Sequence, residues 1–217
     1  MEIIKQTHGE SVTEGHLGGW AKGGDGGTYY PIMWSALVDK FNIKSVLDVG
    51  CGRGYSTKFF KSLGCLVRGI DGSKQAQELT LLSPGEFILH DYATDSCTVT
   101  DKDNKEIVFD LGWSCEFVEH VEQQYVSNFM KTFQQCKYIA MTYAAPGQGG
   151  HHHVNENTPD YWKNVFTQYG FYYLEHETTE LVGNALLDKD ERLKDPAAPF
   201  FISHFLSRGL FFKNSRF

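Results

Sequence analysis

The feature that most constrains the fold is a run of apolar residues that ends in three closely spaced glycines. Residues 45–49 read Ser-Val-Leu-Asp-Val, and Gly50, Gly52 and Gly54 follow. A short apolar run closed by glycines is typical of a buried parallel strand. The glycines allow a sharp turn into a helix and bring backbone N–H groups close to a ligand. Strand, turn and helix N-terminus together predict a nucleotide-type binding site.

Apolar patterns along the chain alternate between the helical and the extended period. Five segments are predicted helices: 31–41, 55–63, 73–82, 118–133 and 158–169. Predicted strands are 45–49, 66–70, 86–90, 107–113 and 137–143, with two more expected within 171–181 and 207–213. Residues 93–106 are expected to form a loop or surface hairpin, and residues 184–195 a helix or loop. This alternation predicts an α/β fold with a doubly wound, mostly parallel sheet of about seven strands, whose ligands bind beyond the carboxyl ends of the strands.

The chain is long enough for one domain with an extension. Its 217 residues exceed the roughly 150 residues of an average domain by a modest segment. Seven of the 22 glycines lie within residues 15–27, close to Trp20 and Tyr29. A flexible linker has no need of aromatic residues. We therefore expect a glycine-rich lid segment, 1–30, that orders over a bound ligand, and a single domain, 31–217.

Charge and cysteine content restrict the partners and the location. Twenty Lys and Arg against 27 Asp and Glu give a formal charge of −7, so the positive footprint of a duplex-DNA binder is missing. No apolar run approaches the roughly 18 residues of a membrane span. The five cysteines are odd in number and include no CxxC pair. We expect a soluble, cytoplasmic protein with reduced thiols, a monomer or homodimer that has no membrane partner and for which nucleic acid is a disfavoured partner.

The glycine spacing also restricts the nucleotide. The dinucleotide fingerprint places its third glycine three positions after the second, and Tyr55 occupies that position. An NAD-binding oxidoreductase is therefore disfavoured. Asp48 lies on the buried strand two residues before the turn, which indicates a cationic partner such as the amino group of S-adenosylmethionine.

Residues 44–175 resemble the class I S-adenosylmethionine-dependent methyltransferases. The resemblance is carried by the stretch Val46–Gly54, by Asp71 at the end of the second strand, by Asp91 after the third, and by residues 109–121. It implies a Rossmann-like methyltransferase fold, S-adenosyl-L-methionine as cofactor, and transferase activity.

The resemblance also assigns parts of the cofactor to individual residues. It implies that the turn 50–54 holds the methionine part and that Asp71 binds both ribose hydroxyls. Asp91 would lie near the adenine with Tyr92 beside the ring, and residues 114–115 would line the methionine end. The cofactor-binding residues predicted in all are Asp48, Gly50, Cys51, Gly52, Gly54, Asp71, Gly72, Asp91, Tyr92, Ser114 and Cys115.

Residues 112–121 contain one departure from the family pattern. Gly112-Trp113 stands at the strand end, where smaller aliphatic residues are more usual. Further along, Glu119 is expected to be solvated or structural, and His120 to be structural.

Three consecutive histidines, 151–153, follow the fifth predicted strand, in a loop that the resemblance places beside the methyl group. A metal site at this run is disfavoured, because consecutive residues on an extended chain point to opposite faces, and we predict no metal ligands. One histidine is then a general base or an acceptor-orienting donor, His153 being the first choice and His151 the second. The alternative is that the imidazoles only satisfy backbone groups of a crowded loop.

We expect the chain to transfer a methyl group from S-adenosyl-L-methionine to an oxygen or nitrogen atom of a small or medium-sized acceptor. The Asn-Pro-Pro-Tyr tetrapeptide of amino-methylating nucleic-acid enzymes is absent after the fourth strand, where residues 113–116 read Trp-Ser-Cys-Glu. Two alternatives stay open: methylation of a protein, RNA or glycan, and a non-catalytic subunit that only binds the cofactor.

Overall fold

The computed structural model describes residues 16–17, 26–194 and 204–217. Its strands are β1 (Ser45–Val49), β2 (Leu66–Asp71), β3 (Phe87–Leu89), β4 (Phe109–Ser114), β5 (Cys136–Met141), β6 (Phe171–Tyr173) and β7 (Leu210–Asn214). Its α-helices are α1 (Pro31–Phe41), α2 (Tyr55–Ser62), α3 (Lys74–Glu78), α4 (Val126–Phe133), α5 (Pro159–Gln168), α6 (Glu175–Leu193) and α7 (His204–Arg208). Short 3-10 helices cover Gly26–Thr28, Val118–His120 and Gln123–Tyr125.

The seven strands form one sheet in the order β3-β2-β1-β4-β5-β7-β6. Strands β1 to β5 are parallel, and β7 runs antiparallel between β5 and β6. The strand order reverses at β1, which has β2 on one side and β4 on the other. In an open α/β sheet the crevice beyond such a reversal is where ligands bind. The predicted fold class is confirmed.

Two apolar layers cover the faces of the sheet. One packs α4 and α5 on the sheet, with Phe129, Phe133 and Trp162 fully buried. The other packs α1, α2 and α6 on the opposite face, around Trp34 and Trp113. Helices on both faces leave only the ends of the strands open to a ligand.

The departure at Gly112-Trp113 has a packing reason. A Cβ at Gly112 would lie 2.4 Å from the Cδ1 atom of Ile139, so any larger residue would displace the neighbouring strand's side chain. The Trp113 indole is fully buried against the rings of Trp34 and Phe205. The indole and the crowded Gly112 position therefore lie on opposite faces of the sheet.

The predicted helix over 73–82 is too long. Ser73 caps it as expected, since its Oγ accepts from the Ala76 N–H at 3.2 Å, but α3 ends at Glu78. The Leu81 N–H instead donates to the Arg53 carbonyl at 2.8 Å. Residues 79–82 therefore turn away from the helix to close over the glycine turn.

The predicted long helix over 118–133 is also wrong, because only Val126–Phe133 is α-helical. Backbone acceptors of the preceding residues are used by the loop after β5. The Glu119 carbonyl accepts from both the Val154 and the Asn155 N–H groups, and the Asn155 side-chain amide donates to the Val121 carbonyl at 3.0 Å. These bonds replace the helical ladder and join two segments that are distant in sequence.

Residues 171–181 were expected to be extended, but only Phe171–Tyr173 forms a strand and α6 begins at Glu175. The buried residues of α6 recur at three- or four-residue intervals, which is the helical period: Thr178, Leu181, Ala185 and Asp188. The Asp188 carboxylate accepts the Ile32 and Met33 N–H groups at 2.8 and 2.9 Å, and so caps α1. Burial raises the pKa of Asp188 to about 6.

Candidate active site

A cavity of about 720 Å³ opens at the carboxyl ends of β1, β2 and β4. Asp48 and the glycine turn line one part of it, and Asp91 and Tyr92 lie at the end beyond β3. The opposite end is formed by histidines of the loop after β5. Nine of the eleven residues predicted for the cofactor and both histidines predicted for the acceptor therefore share one continuous space.

The glycine turn owes its shape to positive φ angles. Gly50 and Gly52 have φ of +76° and +52°. A Cβ at Gly50 would lie 2.7 Å from the Phe117 side chain, whereas a Cβ at Gly52 would meet no atom within 4 Å and would project into open space. Gly54 is not among the cavity-lining residues; it precedes α2, packed against Leu82.

Asp48 is a buried carboxylate at the floor of the cavity, 1% exposed. Its Oδ2 accepts from the Ser56 and Thr57 hydroxyls at 2.5 and 2.6 Å. Burial raises the pKa of Asp48 to about 6, against the lowering effect of these two hydrogen bonds. Because no cationic side chain pairs with it in the described part of the chain, a cationic ligand group is the natural partner of this charge.

Asp71 ends β2 and holds the turn from the other side. Its Oδ2 accepts the Gly52 N–H at 2.8 Å, and its Oδ1 accepts the Ser73 N–H at 2.9 Å. A carboxylate offers about four acceptor positions, so two stay open toward the cavity that Asp71 and Gly72 line. Burial raises the pKa of Asp71. This arrangement can accept hydrogen bonds from two neighbouring hydroxyls.

The far end of the cavity contains Asp91 and Tyr92. The Asp91 carboxylate lies 2.8 Å from the His16 Nε2 atom and accepts the Ala93 N–H. The Tyr92 ring is buried and meets the Phe117 ring edge-on, with centroids 5.6 Å apart. An aromatic face and a carboxylate beside a cavity suit a flat heterocycle with an amino group.

Two predicted residues at the end of β4 differ in their access to the cavity. Cys115 lines it, as does the turn residue Cys51. Ser114 is fully buried and donates its hydroxyl to the Val49 carbonyl at 2.9 Å, and it is not among the lining residues. Ser114 therefore fixes β4 against β1 behind the site.

The three histidines are separated by the fold. His151 is exposed, while the His153 side chain is 8% exposed, and both line the cavity. His152 has φ of +52°, which breaks the extended geometry of the run. The His153 Nδ1 atom lies 3.3 Å from Glu156 Oε1. That carboxylate also accepts the Gly147 and Gly149 N–H groups, and these bonds outweigh burial and hold its pKa below the ordinary range.

Beside His153 lies a group of acidic and histidine side chains. Side-chain ligand atoms of Glu116, Glu119 and His153 all lie within 4.8 Å of one another. Glu119 is fully buried, so the expectation that it is solvated is wrong, and neither of its carboxylate oxygens has a hydrogen-bond partner. Burial and the neighbouring Glu116 raise the pKa of Glu119 well above its usual range. Burial and the charge of His153 lower the pKa of His120 to about 4.

Sequence reasoning did not single out Glu116 or His204. The Glu116 Oε1 atom lies 2.9 Å from the Nδ1 atom of His204, and both line the cavity. The short spacing of Glu116, Glu119 and His120 directly after a strand was a usable signal, since this edge of the sheet is where ligands bind. No sequence signal brings a residue 88 positions further along to the same place.

Comparison with known families adds an independent observation. A family model described as a methyltransferase domain matches residues 47–137, from β1 through the start of β5. A comparison with curated proteins finds no significant sequence match.

Solved structures with a similar fold include magnesium protoporphyrin IX methyltransferase from Synechocystis PCC 6803. With bound SAM it is 15% identical at a TM-score of 0.53, over 85% of this chain and 76% of that chain. With bound SAH it is 15% identical at a TM-score of 0.52, over 85% and 80%. At this identity the likeness concerns the fold.

The residues of this chain fit the cofactor of that family. The open space above Gly52 and the buried, cation-free carboxylate of Asp48 provide room and charge for a methionine moiety, and Asp71 provides acceptors for a ribose. When bound, S-adenosylmethionine supplies a methyl group on a sulfonium. Together with the sheet order, these features agree with the match of residues 47–137 to a methyltransferase domain, of the class I type that uses S-adenosylmethionine.

Proposed function

We propose that this chain methylates an oxygen or nitrogen atom of a small or medium-sized acceptor. The observation that carries the proposal is the shared cavity, which runs from Asp48 and Asp71 to His153 with a volume of about 720 Å³. Pockets of about 300–1,000 Å³ are typical of small-molecule sites. A formal charge of −7 argues against a polyanionic acceptor such as RNA.

We assign cofactor binding to the eleven residues predicted from the sequence. Some of them contact the cofactor directly, and others shape the site from behind. Asp48, Gly52 and Asp71 contact it through charge, open backbone and hydrogen-bond acceptors, whereas Gly54 and Ser114 shape the turn and the strand from behind. Methyl transfer is an in-line displacement, so alignment of the acceptor is the main task of the protein.

We assign that alignment to the histidines, with His153 first and His151 second. His153 lines the cavity and is held by Glu156, so its ring is fixed in place. An imidazole there can orient an acceptor O–H or N–H group or accept its proton. The His151 side chain is exposed, whereas that of His153 is only 8% exposed, which is why His151 ranks second.

We also propose that residues 1–30 form a lid over the domain 31–217. Most of the glycine-rich stretch lies outside the described residues. The parts that are described support the proposal: His16 and Leu17 line the cavity, and Thr28 and Tyr29 form its wall beside α1. No helix within the described residues is long and apolar enough to cross a membrane. All five cysteines are free thiols, which suits a cytoplasmic location.

The test uses S-adenosylmethionine with a radioactive methyl group and a cell extract separated by a small-pore filter into low-mass and macromolecular fractions. We expect the label to enter the low-mass fraction. Label only in the macromolecular fraction would contradict the proposal in favour of protein, RNA or glycan methylation. Tight cofactor binding with no label transfer to either fraction would favour a non-catalytic subunit instead.

A further inference from the structure

Glu116, Glu119 and His153 form a partly buried group of side chains at one end of the cavity. Two of the three, Glu116 and His153, line the cavity directly beyond Cys115, at the acceptor end. Glu119 lies behind them and is fully buried. Two carboxylates and one imidazole thus present ligand atoms within 4.8 Å of one another at the place where an acceptor must sit.

Glu119 carries the argument, because a buried carboxyl group without a partner is costly. Both of its oxygens lack a hydrogen-bond partner, although its side chain is completely enclosed. An unpaired polar group in such a place destabilises the fold, and more so when it is charged. Such a group in a native structure calls for an explanation, and an ion that supplies the missing contact is one.

The neighbouring histidines complete a donor set of the kind that cations use. A hydrogen bond from His153 Nδ1–H to Glu156 leaves the lone pair on Nε2, which is how metal-binding imidazoles are usually fixed. The His120 ring lies 5.0 Å from the His153 ring, its Nδ1 atom is buried without a partner, and it lines the cavity.

We propose that Glu116, Glu119 and His153 bind one divalent cation, with His120 as an additional ligand. Donor atoms that share an ion at about 2.1 Å lie about 3–4 Å apart, so inward movements of about an ångström close the site. Mixed carboxylate and imidazole ligands suit Mn²⁺ and similar ions, with remaining positions open to water or substrate. The histidine run alone does not predict this site, because two of the ligands come from the residues after β4.

The cation would decide which acceptors react, and this step rests on the function proposed above. An acceptor hydroxyl that binds the cation has a lowered pKa and releases its proton to solvent. Its oxygen lone pair then forms the new O–CH₃ bond while the carbon–sulfur bond of the donor breaks and its electron pair stays on sulfur. The acceptor class is therefore a hydroxyl compound, such as a phenol or vicinal diol, rather than an amine. His153 acts as a ligand in this state and not as a proton acceptor.

The other way to satisfy Glu119 is a proton shared with Glu116, which needs no cation. The two explanations differ in a direct binding measurement on the full chain, without any acceptor. In a titration followed by the electron paramagnetic resonance signal of free Mn²⁺, we expect one ion to bind per chain. Glu119→Gln should weaken binding at least about 30-fold, whereas Glu175→Gln, an exposed acid on α6, should stay within about twofold.

Two further readouts keep the test decisive. Glu119→Gln keeps the size of the side chain but cannot ionise, so its melting temperature without Mn²⁺ should equal or exceed that of the wild type, and Mn²⁺ should raise the melting temperature of the wild type only. His153→Ala provides a second variant, with an expected loss in affinity of at least about tenfold. The proposal is overturned if Mn²⁺, Mg²⁺ and Zn²⁺ all fail to bind the wild type saturably, or if Glu119→Gln binds as tightly. Methyl transfer that persists in a strong chelator would overturn it too, while leaving the function proposed above intact.

Discussion

The two ends of the cavity are built in different ways. At the cofactor end, the carboxylates of Asp48 and Asp71 receive hydrogen bonds from residues at most 19 positions away in sequence. At the acceptor end, Glu119 has no partner for its carboxylate, and its carbonyl is bonded to residues 35 and 36 positions further on. The cofactor end is complete by itself, whereas the acceptor end is assembled from distant segments and lacks a partner for a buried acid.

Asp48→Asn should have the largest effect at the cofactor end. The substitution keeps the volume and hydrogen-bond capacity of the side chain but removes its charge. Loss of a buried ionic contact with the amino group of the cofactor should weaken its binding about 100-fold, or about 3 kcal/mol. Isothermal titration calorimetry measures this effect. Affinity within a few fold of the wild type would show that Asp48 is not the partner of that amino group.

The same variant gives a pH dependence with a defined sign. Burial raises the pKa of Asp48 from 3.8 to about 6, so the protonated form is favoured in the folded state. Its favourable contribution is complete below about pH 4 and is lost as the pH rises through 6. Asp48→Asn should therefore be more stable than the wild type at pH 7.5, by up to about 3 kcal/mol without cofactor, and most of the difference should be lost near pH 4. Urea denaturation at several pH values measures it.

At the acceptor end, His153→Ala should lower turnover at least about tenfold while cofactor affinity stays nearly unchanged. The matched control is His176→Ala, because that side chain is 83% exposed on α6, away from the cavity. Equal turnover in His153→Ala and wild type would remove this histidine from the mechanism. A parallel fall in cofactor affinity would mean that the two ends are not separate.

Glycine substitutions sharpen the comparison further. Gly52 and Gly85 have φ of +52° and +83°, and a Cβ at either would meet nothing within 4 Å. Alanine at each position should therefore cost a similar 1 kcal/mol or so in free energy of unfolding. Only Gly52→Ala should also weaken cofactor binding, since its methyl group would enter the cavity. Equal binding by the two variants would place the cofactor elsewhere.

The smallest effect concerns the scaffold alone. Asp188→Ala removes the cap of α1 and should lower the free energy of unfolding by about 1–2 kcal/mol. Asp190→Ala, at an exposed position of the same helix, should change it by less than about 0.5 kcal/mol. Under conditions in which both variants are fully folded, their affinity for the cofactor should equal that of the wild type. A large loss of affinity in Asp188→Ala would show that α1 positions the site directly.

Sequence reasoning succeeded where structure follows from neighbouring residues. The glycine turn, the N-cap of Ser73 and the helix from Pro159 depend on local chemistry, and the fold class follows from the alternation of such units. It failed where distant segments compete for the same backbone groups. The broken helix before Val126 exists because Asn155 takes its carbonyl groups, and the pattern of apolar residues carries no sign of that competition. For the same reason the burial of Glu119 could not be foreseen.

The bonds from Val154 and Asn155 to the Glu119 carbonyl have a consequence for how the site can evolve. They anchor the end of the loop after β5, while Gly147 and Gly149 in its middle are exposed and have open space around them. Their N–H groups donate to Glu156, which in turn contacts His153, so an insertion or deletion there would alter the rim of the cavity and the position of this histidine together. The shape of the acceptor end and the placement of its imidazole therefore depend on the length of one loop.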